Sequence, residues 1–269
     1  MDRRQLKNVI IIILLLVNGF LAGSLVSRST AARTAQSRSA QQLAELFDAD
    51  GIQLDPGSIP SEEPPASRVL TRDSALERTA ADHLLSGGLR RSEQAGVCSY
   101  SGAKGAALFR ENGSFEAAGT LASGDGEDFC RAFCRDFHYA VSSVQVDEDG
   151  SGAVTALREY SGLTVANCAV TFTLEQGAVT AVRGTLLPDA SVESAAGDQS
   201  PLSAQAALTA FLDMRRETGA VASSITDISL CYELQSSAAA PMSLVPAWRI
   251  ATDTVSYYVN CITGVVSQY

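Results

Sequence analysis

Residues 9–26 read VIIIILLLVNGFLAGSLV and carry no charge. As an α-helix this stretch is about 27 Å long, close to the hydrocarbon thickness of a bilayer. It divides the chain into a basic tail, residues 1–8, and everything that must lie on one side of a membrane. Arg3, Arg4 and Lys7 next to the span favour a cytoplasmic N-terminus. Arg28, Arg33 and Arg38 beyond it are more dispersed. The expected arrangement is a single-pass protein of the cell membrane with its C-terminal domain extracytoplasmic. A cleaved signal peptide is the competing reading, with the apolar run 9–17 as its core and Ala22, Gly23 and Ser24 as a cleavage site. Apolar residues resume at Phe20, Leu21, Leu25 and Val26, which favours an anchor that stays attached.

Within the span, Gly19 and Gly23 form a G-x-x-x-G pair on one helix face, and Asn18 neighbours it. Small residues let a second helix approach closely, and an amide can hydrogen-bond across. Asn18, Gly19 and Gly23 are therefore the candidate helix–helix interface. Glycine is also common in single spans for no such reason.

Charge narrows the partners. The chain carries a net −10, and because Arg3, Arg4 and Lys7 outweigh Asp2, residues 27–269 carry −12. An acidic body repels phosphate backbones, so no nucleic acid is expected as a partner. The six cysteines (98, 130, 134, 168, 231, 261) are an even number in a domain expected to be exported. They are either disulfides whose pairing spacing cannot choose, or small buried hydrophobes.

The organisation beyond the span follows from turn and periodicity signals. Residues 27–50 read as a juxtamembrane helix, its first part a solvated stalk and its apolar positions late, at Leu43, Leu46 and Phe47. Residues 51–72 form a proline-rich linker. A helix over 73–88 is predicted by a Ser74/Glu77 capping box and a Gly87-Gly88 stop. Strands follow near 95–100, 106–111 and 114–119, with Asn112-Gly113 as a hairpin turn. A second helix is expected over 127–137, then strands near 141–146, 153–160, 163–174 and 178–187. After a small, polar linker at 188–200, a third helix spans 203–218. Strands near 225–234, 244–251, 255–261 and 265–268 close the chain.

A helix followed by antiparallel strands thus recurs. The expected fold class is α+β: a transmembrane helix, then tandem two-layer units, each a helix packed on an antiparallel sheet. Residues 73–188 form the first extracytoplasmic region and 189–269 the C-terminal unit.

No catalytic constellation is expected. H-E-x-x-H, G-x-S-x-G and P-loop patterns are missing. Cys130, Cys134 and His138 repeat every four residues, but the first and last lie about 12 Å apart along a helix and cannot share one ion. Beside Phe129, Phe133 and Phe137 they read as a core-facing stripe. The Asp147–Gly152 run lacks the spaced ligands and closing Glu of a calcium loop and reads as a polar hairpin tip. His83 reads as a boundary residue. No catalytic residue, metal or cofactor is expected.

The start, Lys7-Asn-Val-Ile-Ile-Ile-Ile-Leu-Leu-Leu-Val-Asn18-Gly-Phe20-Leu21, resembles the anchor of the YycI/YycH regulatory family of Gram-positive bacteria. The 43–52 segment followed by a proline-containing strand fits that layout. The final unit, with Pro246-Ala-Trp248-Arg-Ile250, Tyr257-Tyr-Val-Asn260 and Thr263-Gly264, resembles a PepSY-type module. The resemblance implies a non-enzymatic regulator that contacts a sensor histidine kinase of WalK type through its membrane helix and exterior, with a YycH-like membrane protein as second partner. Such proteins tune cell-wall metabolism. The alternative is a PepSY-type binding or inhibitory module acting on an envelope peptidase.

Overall fold

Three helices are each followed by four strands, and this α-β-β-β-β order is the plan of the molecule. The computed structural model describes residues 36–124, 126–189, 191–193, 200–237 and 240–269. The expected span at 9–26, with Asn18, Gly19 and Gly23, lies outside the described residues. No described helix is long and apolar enough to cross a membrane.

The first repeat is α2 (Ser74–Leu85), β2 (Arg90–Gln94), β3 (Val97–Gly102), β4 (Gly105–Phe109) and β5 (Ser114–Ala122). The second is α3 (Gly126–Asp136), β6 (Tyr139–Val146), β7 (Gly152–Tyr160), β8 (Leu163–Glu175) and β9 (Ala178–Thr185). The third is α4 (Ala204–Thr218), β11 (Ile225–Ser237), β12 (Ala240–Thr252), β13 (Ser256–Asn260) and β14 (Val266–Ser267). Outside the repeats stand α1 (36–49), a 3-10 turn at Pro56–Ser58, and the short strands β1 (Arg68–Leu70) and β10 (Ser191–Glu193).

The fold is mixed α+β, with one large sheet and four helices among the described residues. Each repeat is an antiparallel meander. The first two repeats are not separate layers in tandem. Their last strands, β5 and β9, pair antiparallel, so α2 and α3 cover one common face and share one core. Alternation fixes that face: Val170, Phe172 and Leu174 of β8 point inward, and Thr171 and Thr173 point to the back.

β8 also joins the third repeat. Its C-terminal half pairs with β9, while near its start Val165 pairs with Tyr232 of β11 in a parallel contact. The Asn167 side chain extends this short junction: its Nδ2 donates to the Leu234 carbonyl (2.8 Å) and its Oδ1 accepts from the Leu234 amide (2.7 Å). An amide side chain here replaces two backbone groups that β8 does not itself present.

The helix starts follow local chemistry. Asp73, not Ser74, caps α2, its carboxylate accepting from the amides of Ala75 and Leu76. Glu77 therefore does not close a capping box; it is buried against Arg72, with Oε1 2.6 Å from Nε. A charged partner outcompetes a backbone amide for that carboxylate. Ser203 caps α4, and Gly219, with φ +70°, ends it in the left-handed region.

The 27–50 and 51–72 segments are bound to the body where they are described. α1 runs alongside α4 in the same direction: Ser39 bonds Gln205 near both starts, Phe47 stacks on Phe211, and Asp50 pairs with Arg216 near both ends. Ala40 is buried, so this part of the expected stalk is packed rather than solvated. Ile52 and Leu54 enter the core of the third repeat, and β1 pairs with β12. Gly113 links the first repeat to the third. It adopts φ +80°, its carbonyl accepts from Leu186, and a Cβ there would meet the Met242 sulfur at 2.8 Å.

Candidate functional site

The expected candidates lie on α3 and at its end. Cys130 and Cys134 face the common core with Phe133 and Phe137. His138 leaves their stripe, because the chain turns at φ +55° one residue past Phe137 and leaves its side chain 60% exposed. Burial pushes the thiols of Cys130, Cys168, Cys231 and Cys261 up to about 12 and that of Cys134 to about 11. These thiols are protonated at neutral pH, and the thiolate is the form that attacks carbon or binds zinc. All six cysteines are buried and unpaired with one another. Among the described residues no group of three His, Cys, Asp or Glu side chains could hold a metal ion.

Sequence reasoning missed the most developed polar cluster. It borders a surface hollow of about 290 Å³ lined by His138, Arg158, Tyr160, Ser161 and Asp189. Arg158 sits on β7 in register with Val154, Ala156 and Tyr160, all buried. A charge at an inward position of an alternating strand was the available signal. Its side chain is 3% exposed. Nη1 donates to the His138 carbonyl at 3.0 Å and to that of Glu159; Nη2 reaches the Leu187 carbonyl at 3.4 Å and Asp189 Oδ1 at 2.6 Å. The guanidinium also lies over the Tyr139 ring, 5.8 Å from its centre.

Around this guanidinium the Tyr160 hydroxyl bonds the Asp189 carbonyl and Ser191. His138 Nε2 stands 3.8 Å from Asp189. The arrangement fastens the connector after β9 to the ends of β6 and β7. Four of the five guanidinium donors serve the chain itself, which leaves little for a substrate. The Asp147–Gly152 run is the β6–β7 turn, closed by Asp147 and Asp149 onto the Ser151 backbone.

His83 wedges between α2 and α3, its ring 5.4–5.9 Å from the rings of Phe129, Phe133 and Phe137. Burial holds its pKa below the usual 6.5, against the pull of Asp136 and with the push of Arg135. The unfolded chain therefore takes up the proton first, and stability falls as pH drops below about 6.5 toward the folded value. Urea midpoints measured at pH 7 and pH 5.5 are expected to differ in the parent and to converge in His83→Leu.

No family model matches the chain, and no curated protein matches it. Among solved structures it is similar to an uncharacterized protein from Eubacterium rectale, at 8% identity and a TM-score of 0.38 over 77% of this chain and 86% of that one. It is also similar to the C-terminal domain of Bacillus megaterium YpeB, at 11% identity and a TM-score of 0.36 over 74% of this chain and 98% of that domain.

Proposed function

We propose that this chain is a non-enzymatic, membrane-anchored regulatory protein whose exterior works by protein contact. The proposed partner is a sensor histidine kinase of WalK type, alongside a YycH-like membrane protein, in control of cell-wall homeostasis. The observation that supports the non-enzymatic part is the internal use of the Arg158 guanidinium. Four of its five donors go to the chain's own carbonyls and to Asp189, and the thiols of Cys130, Cys134, Cys168, Cys231 and Cys261 are held protonated by burial. The span at 9–26 and its likeness to YycI/YycH anchors support the membrane and kinase parts.

The repeated helix-plus-four-strand plan favours one second reading, a PepSY-type module that binds or inhibits an envelope peptidase. Fold alone does not choose between them. Recovery of the full chain from native membranes in mild detergent should bring down a histidine kinase or YycH-like protein. A peptidase in its place selects the second reading, and recovery of the chain alone discards both. Gly19→Leu and Gly23→Leu are expected to lower kinase recovery several-fold; unchanged recovery in both removes the span from the interface.

A further inference from the structure

The sheet has four edge strands among the described residues, the short β10 and β14 and the longer β2 and β6, and the longer two are unlike. β2 carries Arg90, Arg91 and Glu93, charges that oppose the addition of another strand. β6 pairs only with β7, and its eight residues, Tyr-Ala-Val-Ser-Ser-Val-Gln-Val, hold no charge. Residues 140–145 are all exposed. A bulge shifts the ladder between Val141 and Ser143, so Val141 lies opposite Ala156 and Val144 opposite Val154. Residues opposed across a ladder share a face. Val141 and Val144 therefore both stand on the core side, although they are three apart in sequence. They are 48% and 59% exposed, while Val154 and Ala156 beneath α3 are buried. The apolar face runs past the helix layer and stops at an open edge.

We propose that β6 docks on β6 of a second copy of this chain, the two strands pairing antiparallel about a two-fold axis. Such an axis, normal to the sheet, keeps faces matched, so the two Val141/Val144 rims meet on one side under a continuous sheet. Charge selects the occupant. At a net −10 two copies repel over most of their surfaces, and along the eight residues of this strand no like charges are opposed; the acidic Asp147–Asp149 turn lies beyond its end. A basic or acidic peptide would find no counter-charge on it. An uncharged strand bearing valines matches it, and β6 is itself such a strand. The pairing is small by the measure of stable interfaces, so the association is weak and concentration-dependent.

The test uses the full chain in detergent with Ser143→Cys. The six native thiols are buried, so the new one is the accessible one. Oxidation should give a disulfide-linked homodimer, reduced at least tenfold when Val141→Lys and Val144→Lys are added, since these place like charges against each other across the axis. Both lysines lie at exposed positions, and far-UV circular dichroism verifies that the variant folds. Thr79→Cys, exposed on α2, reports random collision. Equal cross-linking from Thr79→Cys, cross-linking indifferent to the lysines, or capture of a different protein in native membranes would each overturn the proposal. An oligomer formed through the membrane span survives the lysine changes, so this result is separable from the proposed kinase contact.

Discussion

Phe133→Ala is expected to lower the unfolding free energy by about 3–5 kcal/mol, the usual cost of hollowing an aromatic site in a core. Phe133 is fully buried and touches rings from four elements. It stacks on Phe115 of β5, meets Phe172 of β8 edge-on at 5.5 Å, and lies 4.5 Å from Phe137 and 6.1 Å from Tyr139 of β6. The His83 ring closes the cluster from α2. Because the cluster ties both helices to strands of two repeats, neighbours cannot collapse into the space without moving the sheet. For a domain of this size the expected fall in melting temperature is about 10 °C. Thermal and urea unfolding followed by circular dichroism check it. Phe133→Leu, which keeps most of the volume, should cost less than half as much; equal losses would show that the site relaxes and the cluster is not a unit.

Arg158→Met is expected to cost about 3 kcal/mol, for a different reason. Methionine fills similar space but removes the guanidinium donor from the carbonyls of Glu159 and Leu187, while the His138 carbonyl keeps the Glu159 amide. Buried acceptors left unpaired lose their hydration without compensation. The Asp189 arm of the cluster matters less, since that carboxylate is 65% exposed and water can replace its partner. Asp189→Asn is therefore expected to change stability by under about 1 kcal/mol. Urea midpoints should separate the two variants clearly. Hydrogen exchange should locate the Arg158→Met effect at residues 186–189, the connector that the guanidinium holds. A uniform gain in exchange along β7 would point to strand loss and refute the connector role.

What the sequence made legible was local. The helices predicted over 127–137 and 203–218 occupy Gly126–Asp136 and Ala204–Thr218. The Phe and Cys stripes of α3 both turn to the core, as spacing alone implies. Strand β2 escaped notice because Arg90–Gln94 has no apolar residue; its conformation comes from pairing with β3 rather than from burial. The pattern Ser-x-x-Glu points Glu77 to a cap, but a pattern does not register that Arg72 claims the carboxylate. The joining of β5 to β9 and the parallel step from β8 to β11 are contacts between residues far apart in sequence, 57 at the least (Ala122 and Val179), to which periodicity is blind. Arg158 was readable in principle, since it breaks an inward apolar series, but only once the register of β7 was known.

The shared direction of α1 and α4 has a mechanical consequence. Contacts near both starts, along the shared flank and near both ends are arranged side by side rather than in sequence. Tension drawn through the chain toward residue 36 would slide α1 along α4, straining the Gln205, Phe211 and Arg216 attachments together. A zipper-like detachment, in which each fails in turn, would need a pull across the helices. The third repeat is thus built as a grip that resists axial load, and Ile52, Leu54 and the Gln53–Ser224 bridge fasten the chain to the same repeat just beyond it.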